Sequence, residues 1–493
     1  MNVFASALGA AAIVLASASG ALSARTDLVL GVVLEPPHLD PTAGAAAAID
    51  EIVYANIFEG LTRIGPKGEV LPALAESWEV SDDGKTYTFH LRQNATFHDG
   101  TSFDAEDVKF SLERAMAEDS TNAQKVLFSA IESVEVVDAA TVRVSLKHPQ
   151  GSFLYNLGWG DAVIVAPESA EGNKEKPIGT GPFKFQNWAR GSSVTIVKNP
   201  DYWGEPVALE RAEFRFIPDA AASVTALLSG DVQALPNMQA GDALPQIEAD
   251  SRFKVVIGAT EGETILAMNN GKEPLNDLKV RQAISHALNR DEIILGASSG
   301  HGVPIGSHFS PANEAYVDLT GLYPHDVEKA KQLLAEAGYP DGFSATLKLP
   351  PPNYARQGGE IIASQLREIG IELEIIPMEW AQWLEQVFTN KDYDLTIISH
   401  TEPNDINIYA REDYYFNYQN PEFNAVIEEL ELTADPAKRN ELYGQAQRII
   451  AEDAVNGFLF QLPKIGVWDA KLEGLWENSP IQANDLTKVR WTE

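Results

Sequence analysis

Two hydrophobic periods succeed each other along the whole chain, and neither persists for long. Across residues 86–91 polar and apolar side chains alternate, with Tyr87, Phe89 and Leu91 on one side, as in a half-buried strand. Val142, Val144 and Leu146 repeat that period of two. Residues 279–289 instead carry Val280, Ile284, Ala287 and Leu288 at helical spacing. Asp326 has the chemistry of an N-cap. Behind it Val327, Ala330, Leu333, Leu334 and Ala337 form an apolar stripe, and Gly338 is a suitable stop. Asp435 and Pro436 open another helix with a cap and a proline at its first position. This mixture is neither all-helical nor a strict strand-helix alternation. It predicts an α/β chain whose mixed sheets are covered by helices. At 493 residues the chain exceeds what one core organises, so more than one lobe is expected.

Charge and cysteine content then remove several functions. Lys plus Arg is 37 and Asp plus Glu is 71, a formal net charge of -34. Such a chain repels phosphate backbones, so nucleic acid is not an expected partner. The acidity is read as a solubility device of an abundant protein, expected as a monomer. With no cysteine, disulfides, thiolate metal sites, cysteine nucleophiles and lipid attachment through cysteine are excluded. Residues 10–18 form a short apolar stretch, followed by small residues up to Ala24 and then Arg25. This reads as a signal peptide over residues 1–24, although no Lys or Arg precedes the apolar run. The expected location is the periplasm, with no lipid anchor.

Catalytic motifs do not assemble. Residues 296–300 spell G-x-S-x-G, but that elbow must follow a strand and open a helix. Here a helical pattern precedes it and Gly302 and Pro304 follow, so a loop with coincidental spacing is expected. There is no Walker loop, dinucleotide fingerprint or H-E-x-x-H. His400, Glu402 and Asp405 include only one histidine and are read as solvated loop residues, so neither a metal nor a cofactor is expected.

Other strings are more specific. Residues 58–114 run FEGLTRIGPKGEVLPALAESWEVSDDGKTYTFHLRQNATFHDGTSFDAEDVKFSLER. GTGPFKFQNW at 179–188, NPDYWG at 199–204, VRQAISHALNRDEII at 280–294, EKAKQLLAEAGYPDGF at 328–343 and QLREIGIELEI at 365–375 follow in order. Locally these strings are scaffold. Asp83-Gly84 and His98-Asp99-Gly100 make tight turns, Asp104 caps a helix, and Trp203 anchors a turn. Together they resemble the family 5 extracytoplasmic solute-binding proteins, the dipeptide, oligopeptide and nickel binding group of ABC importers. The resemblance implies a two-lobed periplasmic binding protein fold with two hinge crossings, near residues 263–270 and 457–469. It implies lobe one over 25–265 and 465–493, lobe two over 266–464, and an extra subdomain at about 48–178.

The resemblance also implies a ligand site. In peptide-binding relatives an Arg pairs with the ligand carboxylate and an Asp with its free amino group. Arg356 falls where the family places the Arg, in a loop just before a helix expected over 359–369. A planar guanidinium suits two-oxygen contact with a carboxylate. The Asp is not kept. Counted back from the acid-Pro turn Glu402-Pro403, Ser399 stands in its place, with His400, Glu402 and Asp405 close by. Residues 409–418 are densely aromatic and suit either ligand stacking or core, Tyr409 leading the run. Trp380 and Trp383 sit three apart on an expected helix, with one of them facing the cleft.

The implied activity is non-enzymatic: capture of a small solute, foremost a peptide or peptide-like carboxylated compound, and delivery to the permease subunits of an ABC importer. Opines, sugar conjugates and other non-peptide solutes stand as the alternative. A chemosensory module uses the same ligand-dependent closure, and neighbouring genes for permeases and ATPases would distinguish import. A secreted hydrolase fails for want of a nucleophile, base and orienter.

Overall fold

The computed structural model describes residues 25–492 apart from 45, 403 and 434. The expected signal segment, residues 1–24, and Pro403 therefore lie outside the described residues.

Two long strands, Phe253–Met268 and Asn456–Asp469, run antiparallel to each other and organise everything else. They pair from Phe253↔Asp469 to Ala259↔Pro463, then again from Glu263↔Gln461 to Ala267↔Asn456. Between those stretches the register shifts, and residues 260–262 bulge out of the ladder. A bulge bends a strand and increases its twist, so the shared ladder changes direction there. On one side of the bulge the ladder continues through Ala234–Leu235, Asp27–Val32, Arg211–Phe216, Ser193–Lys198 and Phe183–Ala189. On the other side it continues through Leu395–His400, Phe343–Leu349 and Ile371–Pro377. The result is a two-lobed α/β fold built on one mixed sheet, with the lobes joined by two crossing strands.

Each lobe has its own core. In lobe one Leu28, Leu30, Phe183 and Phe214 pack together. In lobe two the strands are buried on both faces. Ile265, Ala267 and Ile398 face an aromatic cluster, while Leu266, Met268, Leu395 and Ile397 face helices on the opposite side. Strands buried on both faces explain the near-continuous apolar run there. A separate antiparallel sheet, Ala75–Val80, Thr86–Leu91, Thr141–Leu146 and Ile131–Asp138, packs Phe89, Val142 and Val144 against Val108 and Leu112 of the helix Ala105–Met116.

Local signals map onto this architecture for stated physical reasons. Asp104 and Asp107 form a reciprocal capping box at the start of Ala105–Met116. The Asp326 carboxylate accepts from the Lys329 N–H at 2.9 Å, and Asp435 accepts from that of Lys438 at 2.8 Å. Trp203 is an anchor because its indole N–H and the Tyr202 hydroxyl both donate to the buried Glu59 carboxylate, at 2.7 and 2.8 Å. The G-x-S-x-G string closes the helix Arg290–Ala297 and is no strand-to-helix elbow.

Two expectations need correction. The helix expected over 359–369 is Asn353–Glu368, so Arg356 stands in its first turn and not in a loop. Pro350, Pro351 and Pro352 mark a turn in sequence. Pro352 instead precedes the first helical residue, and Gly359 lets the helix close on the sheet: a Cβ there would lie 2.4 Å from Leu349 Cδ1. The tryptophan helix is a single turn, Trp380–Trp383, followed by the wider turn Leu384–Thr389.

Candidate ligand site

Phe343–Leu349, Ile371–Pro377 and Leu395–His400 are mutually parallel, so their carboxyl ends share one edge of lobe two. Leu395–His400 pairs antiparallel with the first crossing strand, setting His400 opposite Glu263 beside the bulge. That edge therefore faces the hinge. Open α/β sheets bind ligands outside the carboxyl ends of their strands. The segments leaving this edge carry Arg356, Trp380, Glu402 and Asp405.

Arg356 leans over the edge from its helix. Its Nη2 donates to Met378 O at 3.2 Å and pairs with Glu379 at 3.4 Å, with 41% of the side chain exposed. Its Nε is buried without a partner. Tyr354, two residues earlier, joins this helix to the neighbouring strand: its hydroxyl accepts from the Ser399 N–H at 3.2 Å. The Ser399 Oγ is likewise buried without a partner, 3.1 Å from where a Cβ on Gly262 would stand. Arg356 and Ser399 are thus brought to one end of the sheet by Tyr354. Trp380 is 43% exposed, whereas Trp383 is buried and donates to Thr396 Oγ1 at 2.9 Å.

Adjacent strand residues point to opposite faces. Ser399 looks toward the helix of Tyr354, and His400 toward the aromatic core. His400 Nε2 meets the Tyr415 hydroxyl at 3.0 Å, and burial pulls the imidazole down to about 4, so it is neutral at neutral pH. Tyr409 is 1% exposed within the same cluster, and its hydroxyl accepts from Asn456 Nδ2 at 3.0 Å.

Four carboxylates gather where the crossing strand enters lobe two. They are Glu261, Glu263, Glu402 and Asp405. Burial raises Glu261, and it raises Glu263 well above the usual carboxylate range, with the charges of Asp405, Glu402 and Glu261 adding to it. Asn313 Nδ2 donates to Glu261 Oε2 at 3.4 Å and to Asn404 Oδ1 at 3.0 Å. Glu261, Glu263 and His308 escaped the sequence reading. The available signal was acids interrupting an apolar crossing strand at 261 and 263.

Of these four carboxylates, only Glu261 lines the space that opens between the lobes. A cleft of about 300 Å³ beside the bulge is lined by Pro66, Lys67 and Pro480 from lobe one, Pro311 and Ala312 from lobe two, and Thr260 of the bulge. Gln482 of lobe one donates to Thr401 Oγ1 of lobe two at 3.1 Å, a direct bond between the lobes. The bulge is held by its own bonds: Thr260 Oγ1 donates to Leu462 O at 2.6 Å, and Gln461 Nε2 donates to Thr260 O at 2.7 Å.

Two lobes on paired crossing strands, with a cleft between them, form the frame of a protein that closes on a solute. Residues 69–422 match the family of bacterial extracellular solute-binding proteins, family 5 (middle region). The chain belongs to that family. Its relatives in family 5 include the dipeptide-binding protein of Escherichia coli K12, 32% identical over 434 residues, covering 78% of this chain and 80% of that protein. Solved structures of the same architecture include the periplasmic binding protein DppA of Helicobacter pylori in complex with the peptide STSA, at TM-score 0.82 and 27% identity, covering 95% of this chain and 98% of that one. The binding protein AgaA of A. tumefaciens R10 in complex with agropinic acid matches at TM-score 0.79 and 28% identity, covering 95% and 99%. This family 5 member has, among its described residues, no helix long and apolar enough to cross a membrane.

Proposed function

We propose that this solute-binding protein works in the periplasm as a monomer. It captures a peptide or peptide-like carboxylated compound between its lobes and hands it to the permease subunits of an ABC importer, without turning it over. One observation carries the ligand class. The guanidinium of Arg356 and the carboxylates of Glu402 and Asp405 leave the same sheet edge, so opposite charges stand ready for the two ends of a zwitterion. Enclosure strips water from both ends of such a solute, and burying them is tolerable only against opposite charge. Ser399 and Trp380 complete the contacts of this reading. His400 and Tyr409 hold that wall from behind, within the aromatic core. The dipeptide and the STSA peptide named for relatives support the peptide reading.

A second reading rests on Ser399. A hydroxyl there cannot balance an ammonium, which favours a carboxylated solute with no free amine, the class to which the agropinic acid of one structural relative points.

A thermal-shift screen of the mature protein against dipeptides, oligopeptides, opines and oligosaccharides decides between them. A true ligand at a hundred times its dissociation constant stabilises by about 2.7 kcal/mol. Stabilisation by dipeptides supports the first reading and stabilisation by opines alone the second. Steady hydrolysis of any stabilising compound would overturn the non-enzymatic assignment.

A further inference from the structure

Behind the cleft, Glu263, His308 and Asp405 converge from three separate parts of the chain. Glu263 is the first paired residue of the crossing strand after the bulge. His308 stands in the segment after Val303–Pro304, fully buried. Asp405 precedes the turn Ile406–Ala410. His308 Nε2 lies 2.7 Å from Asp405 Oδ1 and 3.0 Å from Glu263 Oε1.

One ring nitrogen carries at most one hydrogen. That hydrogen goes to Asp405, and Glu263 Oε1 is left buried with no hydrogen-bond partner, on a residue only 2% exposed. The simplest alternative makes His308 a counter-ion between two acids. It leaves that oxygen unsatisfied and sets two buried carboxyls against each other. A divalent cation at the meeting point does for three atoms what one proton does for two.

The geometry accepts such an ion. Ligand atoms at zinc distances in a tetrahedral arrangement stand about 3.3 Å apart, so the two separations from His308 need to open by about 0.3–0.6 Å. All three ligand atoms lie within 4.8 Å of one another. Asp405 also belongs to a second such set with His400 and Glu402, through which Glu402 could offer a fourth ligand. The far ring nitrogen is already provided for. His308 Nδ1 lies 3.3 Å from the Tyr409 hydroxyl, itself held by Asn456 Nδ2 at 3.0 Å. A metal-bound imidazole carries its proton on that second nitrogen and donates it to an oriented acceptor, the role Tyr409 would take. Two carboxylates balance the double charge.

We propose that Glu263, His308 and Asp405 bind one divalent transition-metal ion of the zinc type. This revises the sequence expectation of no metal, which weighed only His400, Glu402 and Asp405. It shares the Asp405 carboxylate with the amine contact proposed above, so a bound ion and a solute ammonium would compete for that group.

The test uses the full mature chain, stripped with EDTA and titrated with zinc chloride by calorimetry, with bound metal counted by elemental analysis. The expected result is one equivalent of zinc and a higher melting temperature. Glu263→Gln and Asp405→Asn keep the shape and remove one charge each. Each should weaken zinc binding at least about tenfold, while the melting temperature of the stripped protein stays the same or rises. No saturable uptake by the wild type at micromolar zinc overturns the proposal. So does undiminished zinc affinity in both variants, which would place the metal elsewhere. Solute binding is measured on stripped protein, so failure of the metal site leaves the reading of the cleft untouched.

Discussion

Replacing Arg356 by alanine separates binding from folding, because the structure sets the two effects far apart. In the free protein the guanidinium makes one bond to Met378 O and one partly exposed pair with Glu379. An exposed pair contributes about 0–1 kcal/mol, and the helix already has several turns beyond this residue, so the folding cost should be about 1 kcal/mol. In a protein of this size that lowers the melting temperature by about 2 °C or less. Binding should suffer more. Closure removes water from the ligand carboxylate, and without Arg356 that group is enclosed unpaired, at a cost of about 2–5 kcal/mol. The dissociation constant should therefore rise by about 30-fold to a few thousand-fold. Arg356→Lys keeps the charge but loses the planar fork, and should fall between. Calorimetric titration with the solute found by the thermal-shift screen reads the first effect, and melting of the ligand-free variant reads the second. An affinity within a few-fold of wild type would put Arg356 outside the cleft and refute the zwitterion argument.

Ser399→Asp tests the other end of the ligand. If the missing carboxylate excludes free amines, titration should show tighter binding of dipeptides and weaker binding of an amine-free ligand, and unchanged preferences would locate the amine contact at Glu402 or Asp405. His98 is largely buried with Nε2–H donating to Gly181 O at 2.9 Å and Nδ1 accepting from the Gly179 N–H at 3.3 Å, and burial holds it down to about 4. Its unfolded value is near 6.5, so its contribution is complete above that pH and fades as pH falls toward 4, by up to about 3 kcal/mol. Urea melts at pH 7 and 4.5 should show the wild type losing more stability than His98→Gln. Arg281 is buried and donates to the carbonyls of Asp453, Ala454 and Leu275, so Arg281→Ala should lower the unfolding free energy by about 3–5 kcal/mol in urea melts. A loss below 1 kcal/mol would mean that water replaces those bonds.

Much of the scaffold is legible in sequence because its causes are local. Asp104, Asp326 and Asp435 cap helices through bonds to residues two or three positions on, and Tyr87, Phe89 and Leu91 share a face through backbone geometry alone. The family resemblance carried the two-lobed frame because its strings are these same turns and caps. Local pattern failed where a residue's role comes from the other side of a contact. The helix expected from residue 359 begins at Asn353 and takes in Arg356, and the fit of Gly359 against Leu349 exists only in the folded sheet. The aromatic run 409–418 had no readable direction until the sheet buried Tyr409 and Tyr415 on one face. Alternation in a strand sends Ser399 and His400 apart, although they are neighbours in the chain. Conversely, His308 and Asp405 are 97 positions apart and lie 2.7 Å from each other, with Glu263 brought beside them by the crossing strand. Caps, turns and periodicity are determined by neighbours along the chain and are written there. Which charges meet in the buried cleft wall depends on strand order and on the hinge bulge, and those exist only once the sheet has formed.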